Sequence, residues 1–67
     1  MFQREKFKDY MKNNGISYSE MGRRLGVTEA FIRHVVNGVK QPSLAMAADI
    51  SEMMGCTVDE LVLRETL

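Results

Sequence analysis

Residues 17–38 read SYSEMGRRLGVTEAFIRHVVNG, and this stretch spells two short helices joined by a glycine turn. Ser17 and Glu20 stand in S-x-x-E spacing, where the hydroxyl takes one free amide of a helix start and the carboxylate takes another. A helix over 18–25 follows, and Gly26 tolerates the positive φ that closes it. Thr28 is a good N-cap for a second helix over 29–36, and Gly38 supplies its stop. Met21, Leu25, Val27, Ile32 and Val35 fall on the inner side, and Val36 widens the stripe on the second helix. Gly22 is the small residue that lets two backbones approach. These five apolar positions and two glycines are in register with a cap at each helix start. The pattern describes two helices crossing steeply over a tight turn, a helix-turn-helix at residues 18–37.

The flanks carry three more helical segments. In a helix near 2–13, Phe7, Tyr10 and Met11 follow i, i+3, i+4 spacing, and Asn14 and Gly15 suit its close. Pro42 precedes the N-cap Ser43 of a helix near 44–54. There Leu44, Ala47, Ile50 and Met54 have the spacing of a buried face, and Gly55 is the stop. Thr57 and Glu60 repeat the capping box ahead of a helix near 58–64, whose apolar residues are Val58, Leu61 and Val62. No segment alternates with period two, so no strand is expected. The expectation is an all-α, compact five-helix single domain over residues 1–67.

Sixty-seven residues suffice for one domain with a modest core, a size at which oligomerisation often adds stability. No apolar run nears the roughly 20 residues of a membrane span. The start, MFQREKFKDY, has no apolar stretch of the secretory kind, so a cytoplasmic location is expected. The single cysteine, Cys56, excludes an internal disulfide and reads as a small buried hydrophobe. With His34 as the one histidine, no zinc-ligand set, metal or cofactor is expected. The formal net charge is zero, but the charges are segregated. Residues 1–40 hold eight Lys/Arg against four Asp/Glu, and residues 41–67 hold one against five. Such a basic half can meet phosphate while the acidic half points elsewhere.

The stretch from Phe7 to Leu61 resembles the lambda-type Cro/repressor family of helix-turn-helix regulators, also called the XRE family. Its segment GISYSEMGRRLGVTEAFIRHVVNGVKQPSLAMAADISEMMGCTVDEL matches that pattern without insertion, including Asn37-Gly38, Pro42-Ser43 and the closing T-V-D-E-L. The resemblance implies a five-helix lambda-repressor-like domain, double-stranded DNA as partner, and a third helix that enters the major groove. Two positions depart from it. Many members pair an arginine at the position of Met11 with a glutamate at that of Val36. Losing one partner would strand a buried charge at ~3–5 kcal/mol, whereas losing both leaves a hydrophobic contact. Phe31 replaces a residue that is usually small and polar.

Subtracting the inner stripe from the helix over 29–36 leaves candidate base readers: Thr28, Glu29, Ala30, Arg33 and His34. Arg33 can fork onto guanine O6 and N7, worth ~1–3 kcal/mol of discrimination. Its plainer role is a phosphate contact. Glu29 can accept from cytosine N4, or simply favour the helix start through the dipole. Ala30 can touch a thymine methyl, His34 can be a base contact or a solvated histidine, and Phe31 can pack on the preceding helix or meet a thymine. Ser17, Tyr18 and Ser19 at a helix N-terminus are candidates for holding phosphate, and the resemblance assigns that role to the position of Tyr18. Asn37, Gly38 and Lys40 form the opposite clamp. Arg23 and Arg24, like Lys6, Lys8 and Lys12, read mainly as solvated faces.

The segment 57–67 ends in Leu61, Val62, Leu63 and Leu67, an apolar face too large for a short terminal helix to bury. These residues are the candidate dimer interface, and the resemblance agrees, since many members dimerise through C-terminal helices. The expected activity is sequence-specific DNA binding by a dimeric transcription regulator, most simply a repressor on a pseudo-palindromic operator. An alternative is an antitoxin that binds a toxin protein and regulates its own operon. No paired carboxylates, nucleophile–base set or phosphate loop supports an enzyme, and no small-molecule ligand is evident.

Overall fold

The computed structural model describes residues 2–62. Five helices follow one another: α1 Arg4–Asn13, α2 Tyr18–Leu25, α3 Glu29–Val36, α4 Leu44–Met54 and α5 Val58–Leu61. Among the described residues there is no strand. α2, α3 and α4 have the bounds that the sequence predicts, because their start and stop signals are local. Ser17, Thr28, Ser43 and Thr57 each accept, through the side-chain oxygen, the amide three residues on. Gly26 and Gly55 close α2 and α4 in the left-handed region, at φ 73 and 74. Only half of the first capping box forms, since the Glu20 carboxylate turns to Arg23 and Arg24 instead.

Both terminal helices are shorter than predicted, and a single cause explains both. Phe2 and Val62 pair in an isolated antiparallel bridge. Gln3 N–H donates to the Leu61 carbonyl at 2.6 Å, and Phe2 N–H donates to Gln41 Oε1 at 3.3 Å. Gln3 is therefore non-helical, at φ −83 and ψ 75, so α1 starts only at Arg4, and α5 ends at Leu61 with Val62 in the extended region, φ −114. Phe2 is thereby drawn inside, its ring edge-on to Phe7 at 5.7 Å between centroids.

Phe7, Met21, Ile32, Val35, Ile50 and Leu61 are the large fully buried side chains, joined by Phe2, Met11, Val36 and Ala47. Every helix contributes, so burial worth ~1.5–3 kcal/mol per large side chain ties all five together. Met11 and Val36 are both in this core, as the apolar exchange requires. Leu44 is not: it is 64% exposed. As the first residue of α4 it lies beyond the end of the stripe that Ala47 and Ile50 bury. Cys56 is a free, half-buried thiol packed against the core.

The most extensive helix–helix contact is between α2 and α3, and Gly22 sets its closeness. A Cβ there would lie 2.7 Å from the Val27 carbonyl oxygen and 3.2 Å from the Thr28 carbonyl carbon. These are backbone atoms, which cannot swing aside. At Gly26 the space is open and the constraint is φ alone.

Gly22→Val is therefore expected to cost at least about 1–3 kcal/mol, as overpacking does. Gly26→Ala should cost roughly 1–2 kcal/mol through the left-handed backbone. In thermal unfolding each kcal/mol should lower Tm by about 4–8 °C for a domain of this size. An unchanged Tm for Gly22→Val would mean that backbone approach does not limit the crossing.

Candidate nucleic-acid interface

α3 buries Ile32, Val35 and Val36 and presents the remainder outward. Thr28, Glu29, Ala30 and Arg33 are exposed, and His34 is half-buried. Four of the five candidate base readers thus share an open helix face, with His34 at its margin. Thr28 Oγ1 is engaged as the N-cap, accepting from Phe31 N–H at 3.1 Å. Arg33 and Glu29 form an ion pair across one turn, Nη2 to Oε2 at 2.6 Å, with side chains 47% and 51% exposed. Their i, i+4 spacing carried that signal in the sequence, where each was read alone. Phe31 is half-buried against the core, and the Lys40 ammonium lies 5.8 Å from its ring centroid, within cation–π range.

The candidate phosphate residues lie on two elements. Ser17 and Ser19 are exposed at the start of α2, and Tyr18 is half-buried and packs on the core. Ser17 Oγ accepts from Glu20 N–H at 3.0 Å, which leaves the hydroxyl proton to donate outward. In the loop after α3, Asn37, Gly38 and Lys40 are exposed. Their amides are engaged with α3 carbonyls: Asn37 N–H with Arg33, Gly38 N–H with Val35, and Lys40 N–H with His34. What these residues offer outward is the Asn37 side-chain carboxamide and the Lys40 ammonium, while Gly38 makes the turn at φ 79.

Arg4 belongs beside this clamp, and the sequence reading missed it. Its guanidinium lies directly against Gly38, where any Cβ would collide with it. It lines a depression of about 260 Å³ with Phe2, Asn37, Gly38 and Gln41. Among the described residues, the ion pairs engage Arg23, Arg24 and Arg33, and Arg4 is in none of them. Thirty-four positions separate Arg4 from Gly38, and no local pattern signals that approach. The apolar Phe2 and Phe7 flanking the start of α1 are the nearest hint.

Three other cations are engaged elsewhere. Lys6 donates to the Glu60 carbonyl at 3.3 Å. Arg23 and Arg24 both hold Glu20. The hydrogen bond from Arg23, then that from Arg24, keeps the Glu20 carboxyl below its ordinary 4.5.

The expected dimer surface needs correction. Leu61 is fully buried, because it closes the core beneath the Phe2–Val62 bridge, so it offers no surface. Val62 is half-buried, and Leu63 and Leu67 lie outside the described residues. Beside Val62, a shallow depression of about 190 Å³ is lined by Phe2, Gln41, Pro42, Leu44 and Ala47, with Leu44 the exposed apolar member.

Two glycine-hinged helices, the second with its polar face open, define a helix-turn-helix DNA-binding domain. A helix-turn-helix family model of the XRE, Cro/lambda-repressor type matches residues 7–61, and the chain belongs to that family. The match takes up most of the 67 residues and includes no catalytic domain. No curated protein and no solved structure matches the chain. DNA is thus its partner, and transcription regulation its class of activity. Among the described residues no helix is long and apolar enough to cross a membrane.

Because the folded-state Glu20 carboxyl titrates low, its contribution to stability is complete above the unfolded value and is lost as pH falls through the folded one. An NMR titration of the Glu20 carboxyl carbon should give a midpoint below 4.5, rising toward it in Arg23→Ala. A wild-type midpoint at or above 4.5 would mean that the two arginines do not hold it in solution.

Proposed function

We propose that the chain is a sequence-specific transcription repressor that binds a pseudo-palindromic operator as a homodimer and blocks transcription by occupying the site. The observation that carries this reading is the open polar face of α3, held outward by an apolar inner face and the close α2–α3 crossing. α3 lies in the major groove. Thr28, Glu29, Ala30, Arg33 and His34 face the base edges, with Arg33 on a guanine. Ser17, Tyr18 and Ser19 at the start of α2 hold one phosphate stretch. Asn37, Gly38 and Lys40, joined by Arg4, hold the other.

Two-fold pairing through Leu44, Val62, Leu63 and Leu67 sets the two α3 helices ~34 Å apart, on successive major grooves. The exposed Leu44 supports this reading, being a large apolar side chain beside the half-buried Val62. The domain is one in which no part beyond the DNA-binding fold is needed, since occupancy alone excludes polymerase.

Selection from random duplex DNA should yield a two-fold symmetric site. Arg33→Ala should lose specific binding while the helical circular dichroism is unchanged; wild-type affinity for the selected site would refute the assignment of Arg33. Arg4→Met keeps the stem over Gly38 and removes the charge. It should reduce the slope of log affinity against log salt by about 0.9 per half-site, with base preference unchanged. An unaltered slope would remove Arg4 from the phosphate contacts.

A further inference from the structure

We infer that Glu29 is a positioning residue for Arg33, and that the two act as one guanine-reading unit rather than as two independent base readers. This rests on the reading of α3 as the base-contacting helix. Glu29 precedes Arg33 by four residues, the favourable order for an acidic–basic pair on a helix. The Glu29 Oε2 atom sits 2.6 Å from Arg33 Nη2. Both side chains are about half exposed on the outward face, so the pair forms where bases would lie and not against the core.

The chemistry of the two groups favours a division of labour. A carboxylate only accepts, and guanine offers acceptors at O6 and N7 in the major groove. Glu29 therefore cannot bind guanine, but it can hold the group that does. The guanidinium carries five N–H donors in a planar fork. One edge on Glu29 leaves donors free for O6 and N7. Holding this long side chain before DNA arrives removes part of the ordering cost that binding otherwise incurs. The unit is also electrically neutral, so it adds little sequence-independent attraction to phosphate. Arg4, at the start of α1 and lying against Gly38, and Lys40, in the loop after α3, supply that attraction.

The test measures affinity for the selected site, for each single base-pair change within a half-site, and for unrelated duplex. It uses wild type, Glu29→Ala, Glu29→Gln, Arg33→Ala and the Glu29→Ala/Arg33→Ala double variant, each checked for helical content. Arg33→Ala should lower discrimination at one guanine by roughly 5- to 150-fold, the value of a bidentate contact. Glu29→Ala should lower discrimination at the same base pair by roughly 2- to 12-fold, the cost of immobilising one long side chain. It should also tighten binding to unrelated duplex, and the double variant should discriminate no worse than Arg33→Ala.

Alanine and glutamine both remove the charge from the first turn of α3, but only glutamine keeps an acceptor for Nη2. Glu29→Gln should therefore retain most of the preference that Glu29→Ala loses. The inference is overturned if Glu29→Ala relaxes a different base pair additively with Arg33→Ala, which would make Glu29 a separate cytosine reader. It is equally overturned if Glu29→Ala leaves every preference intact, or if Gln and Ala behave alike. Should Arg33→Ala itself relax no base pair, the assignment of Arg33 as a reader fails, and the unit fails with it.

Discussion

The close approach of the backbone at Val27 and Thr28 to Gly22, which leaves no room for a Cβ, sets the geometry of everything outside it. A side chain at Gly22 would push α3 off α2, and α3 would lose the tilt at which its outer face stands clear of the domain. The inner stripe then does the holding: Met21 from α2 and Ile32, Val35 and Val36 from α3 are buried in one core with Phe7, Ile50 and Leu61. The outward polar face is a consequence of that inner fit. Local caps on α2 and α3 fix where each helix begins, so the register of Glu29 and Arg33 along α3 is set by Thr28 and not by any contact of their own.

The distribution of charge follows a similar logic. In the basic half of the sequence three of the arginines are tied to carboxylates, since Glu20 holds Arg23 and Arg24 and Glu29 holds Arg33. Lys6 reaches toward α5. What remains beside α3 is a small positive edge made by Arg4 and Lys40, arranged around the turn at Gly38. A protein with zero formal charge can in this way bring a few cations to phosphate while offering little general attraction, which favours selectivity over non-specific affinity.

The elements that were legible in the sequence are those written in short-range signals. Caps at Ser17, Thr28 and Ser43 and stops at Gly26 and Gly55 gave α2, α3 and α4 to the residue. The inner stripe of α3 was equally plain from its spacing, and subtracting it yielded the outward face. The features not legible depend on contacts far apart in sequence. The Phe2–Val62 bridge shortened both terminal helices and turned Leu61 from a surface candidate into core. The approach of Arg4 to Gly38 depends on that same anchoring of the N-terminus. Leu44 kept the spacing of a buried residue, but spacing cannot say where along a helix the neighbouring core ends. The Glu29–Arg33 pair is different in kind, since its spacing was visible and only its joint meaning was not.

The central claim is that the outer face of α3 occupies the major groove of duplex DNA. Methylation interference on the selected duplex tests it most directly, because methylation of guanine N7 obstructs the major groove and methylation of adenine N3 obstructs the minor groove. The account predicts that N7 methylation blocks binding at guanines in two groups about one helical turn apart. Binding that is indifferent to N7 methylation, or blocked only by methylation at adenine N3, would contradict it.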